Sequence, residues 1–404
     1  VSSAARLLDA APERDPAPDF TLDVHSALFP SGGIGRYVRD LATALSARPD
    51  APPARFVYPS RLPGGSSPPW PRRFLSPLPG GDRRWRWTML AGSIAGLTAD
   101  RYYGRPSLVH SPAGYGPRFR HARHLVTVHD LTVLTHPEWH SRRTAEFFAR
   151  VIPATMRSAD RIVCDSEWTR QQVLERFPVD PGGVETVHLG VARAFRPLPR
   201  REALARIASR LAVEPPYVLH VGTLEPRKNH AGLLSAFEDL RRSGYPGRLV
   251  LVGRDGWRVG PILERLASSP ARAAFLRVPE ATDEDLAALY SACDLFVFPS
   301  LDEGFGFPAL EAMACGAPVV TSPRSALLEV VGEAARRVDP DDAGALGATL
   351  VALWRDEHAR AELAARGPAQ AARFPMDRWV SRMFAIYREM LAGAPPRARS
   401  TATA

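Results

Sequence analysis

Short apolar runs, closed by glycine, proline or small polar residues, recur along the chain. Between them lie stretches whose apolar residues fall three and four apart. The runs Phe20 to Val24, Ser107 to His110, Leu125 to Val128, Arg161 to Cys164 and Val184 to Leu189 predict one set of strands. Tyr217 to Val221, Leu249 to Val252, Phe275 to Val278, Leu295 to Phe298 and Val319-Val320 predict a second set. Helical spacing appears at Tyr37, Leu41 and Leu45, from Phe147 to Met156, over 202–212, from Ala309 to Cys315, and over 341–366 and 377–392. Strands alternating with helices predict an α/β protein with parallel sheets. Leu350, Leu353, Trp354, Trp379, Met383, Ile386 and Tyr387 keep helical spacing and read as core positions.

At 404 residues the chain exceeds the usual size of one domain. The expected division is a disordered 1–18, a first domain 19–192, a Pro- and Arg-rich linker 193–201, a second domain 202–375, a crossing helix 376–392 and a disordered tail 393–404. Residues 59–87 read as an irregular, Pro-rich loop. Its Arg83, Arg84, Trp85, Arg86 and Trp87 would either pack on their own domain or meet an acceptor or membrane interface.

Residues 294–320, DLFVFPSLDEGFGFPALEAMACGAPVV, predict a strand, a glycine-rich turn, a helix opened by Pro308, and another strand. Such a turn presents free backbone N–H groups at a helix N-terminus, where anions bind. Glu303 and Glu311 flank it, and carboxylates accept hydrogen bonds from sugar hydroxyls. Amides for phosphate beside carboxylates for hydroxyls point to a sugar nucleotide; a bland glycine turn with two surface glutamates is the alternative. A second glycine turn, Gly32-Gly33-Ile34-Gly35-Arg36-Tyr37, follows the first expected strand. Gly222-Thr223-Leu224-Glu225-Pro226-Arg227-Lys228-Asn229 follows the first strand of the second set. Adjacent cations there can neutralise a diphosphate. They oppose the dipole of the helix that follows, so they need some other reason to be there. Lys228 is the one lysine beside 51 arginines.

Glu303 and Glu311, enclosing G-F-G-F-P, resemble the E-x7-E motif of the retaining GT-B glycosyltransferases of family 4, also called group 1. The G-G-I-G-R-Y turn, V-H-D-L at His129 and E-P-R-K-N are similar to that family's other motifs, in the same order over residues 20–390. The resemblance implies two Rossmann-like domains facing a cleft, with the last helix crossing back to the first domain. It implies an acceptor-binding first domain and a second domain that binds a nucleotide diphosphate sugar. By the same resemblance Arg227 and Lys228 meet the leaving diphosphate, Glu303 and His129 the donor sugar, and Glu311 the ribose. Gly32, Gly33, Gly222, Gly304, Phe305, Gly306 and Phe307 would line the donor. Retention would come from front-face attack without a covalent nucleophile. Three departures stand out: Ala192 replaces a frequent Asp, Arg277-Val278-Pro279 replaces G-x-V, and Leu328 replaces Pro.

No D-x-D pair sits at a strand end, so the expected chemistry needs neither metal nor cofactor. Mannose from a GDP donor is preferred on the look of V-H-D-L and E-P-R-K-N, and the acceptor is a hydroxyl of a glycan, a lipid-linked or a small molecule. His136, Trp139 and His140 would shape the acceptor side. A nucleotide-sugar epimerase is the alternative. A pI near 10.0 raises a nucleic-acid binder, which lacks any groove-reading motif. The basic half is the first: 25 arginines against 18 acids up to residue 195. That balance suits an anionic acceptor or peripheral membrane contact. Cys164, Cys293 and Cys315 read as buried, reduced thiols of a cytoplasmic protein. The N-terminal stretch has no apolar h-region of a secretory signal.

Overall fold

The computed structural model describes residues 19–28, 32–61, 68–81, 85, 87–90 and 96–393. The disorder expected for 1–18 and after Gly393, and the arginines Arg83, Arg84 and Arg86, lie outside those residues. The first sheet holds β1 (Phe20–Asp23), β2 (Ala54–Arg61), β3 (Leu75–Gly81), β4 (Leu108–Ser111), β5 (Arg123–Val128), β6 (Arg161–Cys164) and β7 (Val184–Thr186). Their order is β3-β2-β1-β4-β5-β6-β7. The second holds β8 (Tyr217–Val221), β9 (Arg248–Val252), β10 (Phe275–Val278), β11 (Leu295–Phe298), β12 (Val319–Thr321) and β13 (Arg336–Arg337), in the order β10-β9-β8-β11-β12-β13. Every pairing in both sheets is parallel. These are two doubly wound, Rossmann-like sheets, which reverse direction between β1 and β4 and between β8 and β11.

The apolar runs work as strands because helices cover both faces of each sheet, so continuous hydrophobicity is what a parallel strand needs. β8 and β11 are buried along their whole length. Two strands escaped the sequence reading: β2 precedes and runs into the stretch 59–87 read as an irregular loop, and β3 lies inside it. Pro59 falls where the β2–β3 register slips, and Pro77 and Pro79 sit in β3 at the sheet edge. An edge strand can lack N–H groups on its open side, so prolines that argue against a strand are tolerated there. Trp85 packs inward, its indole N–H donating to Asp23 Oδ2 at 3.2 Å, whereas Trp87 is 64% exposed. The helix Arg200–Leu211 begins inside the stretch read as a linker, with Pro199 at its N-cap.

The helix Met376–Leu391 crosses to the first sheet. The Tyr387 hydroxyl meets His110 Nδ1 at 2.8 Å, its ring packs on Phe20, and Trp379 packs on Tyr37. Arg161 and Arg382 share Glu185 and Glu389, tying the helix to β6 and β7. The crossing is tightest at Gly190, where a Cβ would stand 2.3 Å from Met376 Cα. Gly190→Ala is therefore expected to lower stability by about 1–3 kcal/mol through overpacking, read from a urea denaturation curve. Cys164, Cys293 and Cys315 are free and buried. Among the described residues no helix is long and apolar enough to cross a membrane.

Candidate active site

The loops that follow β1 and β5 in the first sheet meet the loop that follows β11 in the second, at the strand ends where α/β folds place ligands. From the first lobe comes the helix Gly33–Ala47. Gly32 caps it at φ 115°, and no side chain caps its amides. From the second comes the helix Phe307–Ala314, opened by Gly306 at φ 103° and likewise uncapped by any side chain. A Cβ at Gly33 would touch Phe307 at 3.8 Å, so the two glycine turns face each other. The positive φ at Gly32 and Gly306 is a conformation side chains resist, which is why glycine stands at both. Uncapped helix N-termini carry partial positive charge and unpaired donors.

Arg227 and Lys228 lie in a single helical turn, Pro226–Lys228, after β8. Both point at Glu303. Lys228 Nζ donates to Oε1 at 2.5 Å and Arg227 Nη1 to Oε2 at 2.7 Å. Arg227 also donates to Glu225 Oε1 at 2.9 Å and to the Asp302 carbonyl at 3.1 Å. Lys228 is 7% exposed and lies over the Phe298 ring, 4.9 Å from its centroid. Burial, and then the Arg227 charge, push the Lys228 ammonium below its usual pKa, although Glu303 pulls the other way. Burial would raise the Glu303 carboxyl, but Arg227 and Lys228 outweigh it and hold it below the usual carboxylate range. Asp130, from the first lobe, is held low in the same way by Arg227 and by two bonds from Thr132. Two cations thus stand fixed among carboxylates, preorganised for whatever negative charge enters.

Glu311 has a different arrangement. Arg36, on the first lobe's glycine turn, forms an ion pair with its Oε1, and the Tyr290 hydroxyl donates to Oε2 at 3.2 Å. Arg36 also reaches Asp283 at 3.1 Å and lies over Phe195 and Phe307. Burial pushes the Glu311 carboxyl up to about 7 in spite of Arg36. A ribose hydroxyl at Glu311 would therefore join or displace a contact between lobes. Arg36, Asp283 and Tyr290 were not assigned from sequence. Arg36 was visible inside G-G-I-G-R-Y, but its partner lies 275 residues away.

His129 directly follows β5, with both ring nitrogens committed. Nδ1 meets Asp165 Oδ2 at 2.5 Å and Nε2 meets the Pro112 carbonyl at 2.6 Å. Burial disfavours charge on the ring, but Asp165 and the carbonyl prevail and raise its pKa. Two acceptors on one imidazole are satisfied together by the doubly protonated ring. A sugar contact from His129 would have to replace the Pro112 bond. Its carbonyl oxygen does border the site: a Cβ at Gly304 would stand 1.7 Å from it.

Two of the glycine-turn residues contribute otherwise than the motif implies. The Gly222 N–H is given to the Val252 carbonyl at 2.9 Å, so it is not free for a phosphate. A Cβ there would sit 3.6 Å from Lys228 Cε, an ordinary contact, so neither a free amide nor crowding accounts for glycine at this position. The Phe305 ring is 4% exposed and packs on Phe374, which leaves its backbone as the part able to face a ligand. The lobes are joined again at Glu329, whose carboxylate accepts from Glu167 N at 3.1 Å, Trp168 N at 3.2 Å and His188 Nε2 at 3.0 Å. A carboxylate from one lobe thus caps a helix of the other.

Paired Rossmann-like sheets with this constellation between them define a GT-B glycosyltransferase. Comparison with known proteins agrees. Residues 203–370 match the model for glycosyl transferases group 1, and residues 31–195 that for glycosyltransferase family 4. The O-antigen chain mannosyltransferase B of Escherichia coli is 34% identical over 285 residues, 70% of this chain and 74% of that protein. A D-inositol 3-phosphate glycosyltransferase of Salinispora arenicola is 29% identical over 100% of this chain and 98% of its own. Among solved structures, sucrose-phosphate synthase from Thermosynechococcus elongatus superposes with a TM-score of 0.72 at 22% identity, covering 93% of this chain and 99% of that one. The chain belongs to glycosyltransferase family 4, the group 1 glycosyl transferases, and is an enzyme that uses a nucleotide-sugar donor.

Proposed function

We propose that the chain moves a hexose, mannose from GDP-mannose ahead of other donors, with retention and without a metal ion, to a hydroxyl of a glycan acceptor. The observation that carries the reading is the convergence of Arg227 and Lys228 on Glu303 beside two uncapped helix N-termini. In this reading the donor diphosphate lies against Arg227, Lys228 and the amides of Gly32–Gly33 and Gly304–Phe307. The two cations take the charge that grows on the leaving diphosphate, the work usually given to a bridging divalent ion. Glu303 exchanges part of its cation pairing for sugar hydroxyls, and Glu311 accepts from the ribose. Mannose is favoured by the relative from Escherichia coli, whose name gives that sugar.

Thermal-shift titration with GDP, UDP, ADP and TDP tests the donor. A ligand at 100 times its dissociation constant adds about 2.7 kcal/mol of stability, and GDP is expected to give the largest shift. Release of nucleotide diphosphate from GDP-mannose should persist in EDTA. Loss of turnover with EDTA and its return with manganese would remove the metal-free part of the proposal, and a larger shift with UDP would remove GDP.

A further inference from the structure

Three rings on the loop after His129, with a fourth from the other lobe, are left unused by the donor chemistry. His136 and Trp139 stack 3.9 Å apart at an interplanar angle of 12°. The next residue, His140, stacks on Trp257 at 5.3 Å and 23°. Trp257 belongs to the other lobe, on the loop that leaves the C-terminal end of β9, and Arg258 beside it donates to the His140 carbonyl at 3.1 Å. Trp257 is 43% exposed, and the His136 side chain is 39% exposed. Exposed tryptophan held by stacking has a fixed face and little conformational freedom left to lose on binding.

We propose that these rings form a platform for a pyranose ring of a glycan acceptor, at the reacting end of the donor site. The proposal rests on the transferase reading above. Position supports it first. Asp130, Glu225 and Arg227 act electrostatically on the His140 ring, and His136 acts on Asp302, so the stacks border the cation cluster. The nucleotide's own aromatic base belongs elsewhere. It lies beyond the ribose, whose proposed carboxylate, Glu311, is held by Arg36 and Tyr290. Chemistry supports it second. A pyranose has an apolar C–H face and a hydroxyl edge. The platform offers aromatic faces and, around them, the acceptors Glu138, Asp130 and Asp302. The Nε2 atom of His140 is buried without a protein partner, so a hydroxyl entering beside the stack would supply one. A lipid chain would gain nothing from those carboxylates.

The test compares wild type, Trp257→Ala and Trp257→Phe. Saturation-transfer NMR against free mannotriose, maltotriose and galactotriose reads sugar contact, and thermal shift with GDP and UDP reads the nucleotide. Wild type is expected to transfer saturation from aromatic protons to one C–H face of at least one trisaccharide. Trp257→Phe keeps that contact. Trp257→Ala weakens it by about tenfold while the nucleotide shift stays as it was. No saturable contact with any trisaccharide, equal affinity in Trp257→Ala, or loss of the nucleotide shift with the tryptophan would each overturn the platform. A wild type that binds the trisaccharide but transfers no hexose from any donor would instead sink the transferase reading and leave the platform standing.

Discussion

Lys228→Ala is expected to fold and to lose turnover by about 10²-fold or more. In the proposed reading the loss belongs to the leaving group, because a buried ammonium already in place can meet charge on a departing diphosphate at no reorganisation cost. Folding should survive because Glu303 keeps its bond from Arg227 at 2.7 Å after the lysine is gone. Glu303→Gln is the informative contrast. It strips Lys228 of its carboxylate, whereas Arg227 retains Glu225. Leaving one buried charge unpaired costs about 3 kcal/mol or more, so this variant should melt earlier as well as turn over slowly. Nucleotide diphosphate release from the donor gives the rate, and circular dichroism melting gives the stability. A fully active Lys228→Ala would end the assignment of the leaving-group site.

The second lobe was more legible than the first, for a physical reason. β8, β9 and β11 are almost wholly buried runs that leave no other reading, and the motif between β11 and β12 punctuates itself with glycine and proline. β3 escaped because proline at a sheet edge looks like loop, and β2 because Pro59, where its register with β3 slips, breaks up its run. The chemistry that the chain keeps local, Arg227 with Lys228 and the turn from Glu303 to Phe307, could be found by inspection. The Arg36–Glu311 pair, the Asp165 partner of His129 and the cap from Glu329 could not. Each joins residues tens to hundreds of positions apart, and no periodicity records which distant side chain a turn will face. A motif also names residues without saying which atom does the work: the Gly222 amide is spent inside the sheet, and the Phe305 ring is packed on Phe374, away from any ligand.

The same distinction makes Gly304→Ala a sharp test of how the lobes close. A methyl group there would stand 1.7 Å from the His129 carbonyl oxygen and 2.6 Å from its carbon. Both sides of that contact are backbone, so no rotamer change relieves it. Thr169 fixes the spot further, its hydroxyl lying 3.2 Å from the His129 carbonyl and 3.3 Å from that of Gly304. Close-packed interiors do not absorb such overlap, so the end of β5 and the Glu303–Phe307 turn must part by more than about 1 Å. A misplacement of that size can cost about 10² in rate when reacting groups are held by two bodies. Turnover should fall by about that factor, the GDP thermal shift should shrink, and the far-ultraviolet circular dichroism should stay as in wild type, since neither sheet is touched. Wild-type turnover in Gly304→Ala would mean that the two lobes do not approach this closely when the enzyme works, and the placing of the donor sugar between the end of β5 and the Glu303–Phe307 turn would have to be given up.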